Sequence, residues 1–226
     1  MSSPDTDTPA APAAAPEAKK EPLYLYKCKC GKCQIKFAGE PVLNLNCHCH
    51  SCLAASKHIS EKYPDGTSAV VEGGGVGAAL FRLVDVVEAD DLTDDQFNYV
   101  KVGDTGGNIR VYTKCCGSAV TISGGAAFPC NWIPIIRNGV VKASDGTTPY
   151  VPATPVPETQ VKCAADPASV PEPKFNVVPP KLAFAFVSGM LKKKLGVGGN
   201  PALKDKKLFY ATGAEEDVEV VAKTWE

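Results

Sequence analysis

The sequence predicts a mainly β domain, and three observations predict it. Apolar side chains recur at alternate positions in short segments, as in Leu23, Leu25 and again Ile35, Phe37, the period-two mark of half-buried strands. The 19 prolines and 20 glycines punctuate the 226 residues too often for long helices and fit many turns. Six of the ten cysteines crowd between residues 28 and 52, and a further pair stands at 115 and 116. Such clusters in a reduced chain gather distant strands around metal.

Residues 1–22 are mostly Ala, Pro, Ser, Thr and Glu, bury too little apolar surface to offset their ordering entropy, and are expected to form a disordered tail. A cysteine-bearing β domain is expected over 23–139. Pro41 to Asn46 reads as a strand leading into cysteines. Residues 58–80, with Gly73-Gly74-Gly75 and Gly77, read as a flexible loop. Asn98 to Val102 and Asn108 to Thr113 read as a hairpin across Gly103-Asp104-Thr105-Gly106-Gly107, and Ala119 to Ile122 as a further strand. Residues 140–226 form a Pro-rich extension, partly irregular, whose Val218-Glu219-Val220 alternation is placed to complete the sheet. Within it, Leu182 to Leu191 is uncharged and is followed by three lysines. Ten residues are too few to cross a bilayer, so a buried strand or helix is expected ahead of a membrane-surface or partner helix, and no transmembrane segment.

A formal net charge of -1 and only three arginines (Arg82, Arg110, Arg137) give no field or fork chemistry for nucleic acid, and no such partner is expected. The opening residues lack a basic region and an apolar run, so no secretory signal is expected. A cytoplasmic setting follows, with the nucleus as the alternative.

The cysteines repeat one spacing, C-x-C-x-x-C, at Cys28, Cys30, Cys33 and at Cys47, Cys49, Cys52. In a strand, residues i and i+2 share a face, so C-x-C offers two thiolates to one ion, and C-x-x-C closes around a tetrahedral centre through a tight turn. Gly31 suits that turn because it tolerates positive φ. Zinc is the expected metal, ahead of an iron–sulfur cluster or a redox disulfide. Cys130 and Cys163 stand alone and are expected as buried apolar residues. His48 and His50 are expected in solvent or behind the ligands, not as ligands.

Cys28-x-Cys30-Gly31, then Cys47-His48-Cys49-x-x-Cys52, then Arg110 and Cys115-Cys116-Gly117-Ser118 together resemble the glutathione-dependent formaldehyde-activating enzyme family, which includes the centromere protein V-like proteins. The resemblance covers roughly residues 24–125. It implies a β-tent fold with two zinc ions: a closed four-thiolate site that takes Cys28, Cys30 and Cys116, and an open three-thiolate site of Cys47, Cys49 and Cys52. Thr113 stands where the family has another cysteine. The fourth closed-site ligand is then Cys115 through a local distortion, or Cys33, or the site is weakened; Cys115 is the favoured one.

The resemblance further implies carbon–sulfur lyase chemistry, like that of an S-hydroxymethylglutathione synthase. A small thiol such as glutathione would add to an aldehyde such as formaldehyde at the Cys47/Cys49/Cys52 zinc. The rival expectations are a non-catalytic zinc-stabilised binding module and a thiol-redox protein.

Overall fold

The computed structural model describes residues 20–88, 91–103, 108–123, 130–203, 205–210 and 218–223. The tail expected over 1–22 falls outside them up to residue 19, as do residues 104–107 of the expected hairpin loop. The chain is mainly β, as expected, and its strands form two sheets.

The smaller sheet is antiparallel. In it β1 (Tyr24–Lys27) lies between β10 (Val140–Lys142) and β2 (Gln34–Phe37), and β2 in turn pairs with β5 (Val86–Val87). The larger sheet is mixed. Its centre is β3 (Leu43–Cys47), β4 (Val76–Arg82), β9 (Trp132–Ile136), β8 (Ala119–Ser123), β7 (Ile109–Thr113) and β6 (Phe97–Val102), in that order. The C-terminal region extends both edges with strands that pair in parallel: β11 (Glu158–Thr159) and β12 (Lys174–Phe175) beyond β3, and β13 (Val218–Val221) beyond β6.

Alternation along the strands sorts two faces. Ala79, Phe81, Tyr99 and Val111 face the smaller sheet and share one core with Tyr26, Ile35 and Phe37. Phe37 stacks on Phe81 with ring centroids 4.1 Å apart, and the Tyr26 hydroxyl donates to the Ala119 carbonyl at 2.8 Å, tying the sheets together. The opposite face carries two helices. One, α1 (His50–Lys62), packs Ala55 and Ile59 on Val100, Val102 and Tyr112. The other, α2 (Pro180–Lys194), packs Leu182 on Ala78, Leu80 and Trp132. With both faces covered, β7 is buried at every position. A short helix, α3 (Lys207–Tyr210), brings Leu208 and Phe209 into the shared core.

Two expectations are corrected here. Residues 58–80 are not one flexible loop: α1 runs through Lys62, and β4 starts at Val76 as a central strand. The helix forms because Cys52, Ala55, Ser56 and Ile59 fall at i, i+3, i+4 and i+7 and bury one face, until Pro64 ends it. The glycines of β4's approach reflect crowding: a Cβ on Gly77 would lie 2.4 Å from Val71 Cγ1. The uncharged segment before the lysines is a helix, yet only partly buried. Leu182 and Gly189 face inward, while Phe184, Val187 and Leu191 are exposed. Among the described residues no helix is long and apolar enough to cross a membrane.

At the far edge, Glu219 of β13 accepts from His58 and Lys62 of α1 and from the Tyr112 hydroxyl of β7. Burial opposes ionisation of Glu219, but these three donors outweigh it and hold its carboxyl below the usual range.

Candidate metal centres

All ten cysteines are free thiols, and seven gather in two groups. Each group can hold a metal ion, since its sulfurs lie within 4.8 Å of one another. The first joins Cys28 and Cys30, from the turn between β1 and β2, to Cys115 and Cys116, from the turn between β7 and β8. Its sulfurs are 3.6 Å apart for Cys28 and Cys30, 3.7 Å for Cys28 and Cys115, 3.3 Å for Cys30 and Cys115, and 3.9 Å for Cys115 and Cys116. These separations far exceed a disulfide bond.

Local backbone geometry makes this convergence. Gly31 adopts φ +76°, as the turn requires, and its N–H donates to the Cys28 carbonyl at 2.9 Å. Cys33 is outside the group. Its side chain is buried in the core, and its N–H donates to Cys28 Sγ at 3.2 Å. Cys115 thus stands where the fourth donor is needed. Thr113 supports the group: its hydroxyl lies 3.5 Å from Cys116 Sγ and accepts the Ser118 N–H at 3.2 Å. The Ser118 hydroxyl lies 3.1 Å from Cys116 Sγ and accepts from the N–H groups of Lys29 and Thr67, joining three chain segments. Burial works against a Cys116 thiolate. Hydrogen bonds from Ser118, Thr113 and the backbone of Cys30 and Ser118 prevail and bring the thiol down to about 5.

Gly117 is fixed by the same turn. Its φ is +68°, and a Cβ there would lie 2.0 Å from the Tyr63 Cβ. Gly117→Ala is expected to destabilise the metal-loaded protein by at least about 2 kcal/mol, through left-handed strain and overpacking together. Denaturant titration measures it, and a loss under about 0.5 kcal/mol, the range of neutral surface changes, would contradict this packing.

The second group is Cys47, Cys49 and Cys52. Cys47 ends β3, Cys49 precedes α1, and Cys52 lies in the first turn of α1, where backbone N–H groups favour negative charge. The Cys52 N–H donates to Cys49. Cys52 is held well below the ordinary thiol range by hydrogen bonds from Cys47 and Cys49; burial opposes this, and the Arg110 guanidinium adds to it. Arg110 is 5% exposed, and its Nη2 donates to Ser51 Oγ at 2.7 Å and Cys52 Sγ at 3.5 Å. Sharing of hydrogen bonds with Cys49 and Cys52, and burial, push Cys47 the other way. Three crowded thiols of which only some ionise readily are a donor set that a soft or borderline cation completes.

Behind these ligands runs a buried polar chain. His48 Nε2 lies 2.7 Å from Glu158 Oε2, Asn46 Nδ2 donates to Glu158 Oε1 at 2.5 Å, and Arg137 Nη2 donates to Asn46 Oδ1 at 2.7 Å. His48 is 1% exposed, so of the two places expected for it the one behind the ligands holds. His50 is exposed, and neither histidine belongs to a metal group. Glu158 lies beside Asn46 in the parallel β11–β3 pair, so the carboxylate and the strand that carries Cys47 are fixed together.

The second group also borders a cavity of about 290 Å³ beneath α2. Cys47, Cys49 and Cys52 line it together with Leu80, Trp132, Leu182 and Phe186. Cys130 lies on its wall as a buried apolar residue, as expected, whereas Cys163 is only half-buried. Sequence reasoning missed the cavity, Glu158 and the contact from Arg110 to Cys52. The one available signal was an arginine set within the apolar strand Ile109–Thr113. No family model, curated protein or solved structure matches the chain.

Proposed function

We propose that the chain is a zinc protein with one closed and one open site, and that the open site joins a small thiol to an aldehyde. The observation that carries this reading is the difference in donor count, four thiolates against three, with the three-thiolate group bordering a cavity. The donor set fits zinc. Zn–S bonds of about 2.3 Å in a tetrahedron put sulfurs about 3.8 Å apart, and four separations in the first group run from 3.3 to 3.9 Å. Thiolate-only ligation also suits zinc over hard cations.

Cys47, Cys49 and Cys52 would hold the zinc ion, which would bind a soft ligand beside them and lower the pKa of its thiol. The protein's own groups do the rest. Arg110 offsets the excess negative charge of three thiolates. The polar chain from His48 to Arg137 fixes the strand that carries Cys47. The cavity walls hold the aldehyde near the sulfur, so that the rate gain is one of proximity. The reaction balances without an oxidant. A carbon–sulfur bond forms, the carbonyl π pair becomes an O–H with the proton the thiol gives up, and the product is a hemithioacetal. The β-tent architecture and a reducing compartment, cytoplasm or nucleus, belong to the same reading.

Hemithioacetal formation by the zinc-loaded protein tests it. A rate above the protein-free background that Cys52→Ser abolishes supports the proposal, and a rate equal to background removes the enzymatic claim. A zinc-stabilised module without turnover is the second reading, drawn from the exposed Phe184, Val187 and Leu191 on the outer face of α2. Such a module keeps its partner in Cys52→Ser so long as the fold survives.

A further inference from the structure

The cavity beneath α2 is built from segments far apart in the chain. Leu45 comes from β3, Ala78 and Leu80 from β4, Trp132 from β9, and Leu182 and Phe186 from α2. Their packing is close and specific. The rings of Trp132 and Phe186 meet edge to face with centroids 4.8 Å apart. A Cβ on Gly189 would lie 2.6 Å from Trp132 Nε1, so glycine lets α2 approach the tryptophan. At 290 Å³ the space is about twice the ~150 Å³ that holds benzene in an engineered protein cavity. Among its described lining residues Lys193 alone bears a formal charge, apart from what the thiols carry.

This chemistry selects an occupant. We infer that the molecule bound at the open site carries an apolar alkyl or aryl body, lodged between α2 and the large sheet, with its thiol or aldehyde end at Cys47, Cys49 and Cys52. A tripeptide thiol such as glutathione would bring two carboxylates and an ammonium group into a space with one cation on its wall, and such burial is costly. The inference rests on the proposed thiol–aldehyde reading for the head group, and on the cavity alone for the body.

The test uses the full chain with Trp225→Phe, which leaves Trp132 as the sole tryptophan. The protein is loaded with zinc for fluorescence and with cobalt for absorption. Benzyl mercaptan, glutathione and toluene are titrated separately. Benzyl mercaptan is expected to shift the cobalt spectrum and the Trp132 emission together, and to bind about 10- to 100-fold tighter than glutathione, the worth of burying one phenyl-sized group. Ala78→Phe, or Ala78→Leu if the first fails to fold, should fill the space and erase that preference while leaving the metal count unchanged.

Equal or tighter binding of glutathione, or a preference that survives filling, overturns the inference even if thiols bind the metal. If neither thiol alters the cobalt spectrum, the thiol–aldehyde reading fails. The apolar body is then decided by toluene alone: saturable quenching of Trp132 that the filled variant loses sustains it, and no quenching overturns it.

Discussion

Stripping the metal from the loaded protein is expected to unfold it, and Cys116→Ser is expected to have the same effect. The four-sulfur group links the turn at Cys28 and Cys30 to the turn at Cys115 and Cys116, and thereby the smaller sheet to the larger. Cys28 and Cys33 belong to the core shared by both sheets and Cys116 packs against it, so a metal held there would stand or fall with the apolar contacts. A structural zinc site contributes about 10–16 kcal/mol of apparent binding energy, as much as the whole stability of a typical domain, about 5–15 kcal/mol. Circular dichroism with excess chelator reads the outcome, and native mass spectrometry counts the ions. Cys49→Ser supplies the contrast: it should lose one ion and keep the cooperative melt. Protein that is metal-free and still melts cooperatively in strong chelator would sink the claim that metal holds the sheets.

The elements legible in the sequence are those whose pattern is local. Ile109–Thr113 and Ala119–Ser123 lie between turn residues and form adjacent strands, and Gly31 takes the positive φ expected of it, although the C-x-x-C it belongs to does not close, since Cys33 turns into the core. The ligand spacing is equally local, so Cys47, Cys49 and Cys52 converge as their motif implies. Cys115 joins the other group because the turn at Gly117 swings the Cys115–Cys116 pair back toward Cys28. The helix α1 was hidden because its buried face is made of Cys52, Ala55, Ser56 and Ile59, only one of them a large apolar residue. Strand β4 was hidden for a related reason. Between two covered faces and a cavity it needs small residues, so Val76-Gly77-Ala78-Ala79 reads as the tail of a glycine-rich loop. The cavity has no local signature at all: Leu45, Trp132 and Leu182 meet only through strand order and the docking of α2.

Arg110→Met is expected to weaken metal binding at the three-cysteine site about 10- to 100-fold while sparing the other site. Three thiolates around a divalent ion leave one negative charge in excess, and Cys52 is buried, where an unbalanced charge is poorly solvated. Arg110 is the cation that meets it, also held by the Ser51 hydroxyl and, through Nη1, the Asn108 carbonyl at 2.8 Å. Methionine keeps much of the stem volume and removes only the fork and the charge, so the loss measures electrostatics more than packing. Removing one partner of a buried charge pair costs about 3–5 kcal/mol where nothing relaxes; the cluster borders a cavity and can relax, so the expected loss is the smaller ~1.4–2.8 kcal/mol of a 10- to 100-fold change. Arg110→Lys restores charge without the planar fork and should recover part of the affinity. Competition with a chromophoric chelator separates the two sites by midpoint, with the four-sulfur site as internal reference. Identical midpoints for Arg110→Met and the unaltered protein would mean that the guanidinium serves the fold of β7 and not the cysteine cluster beside it.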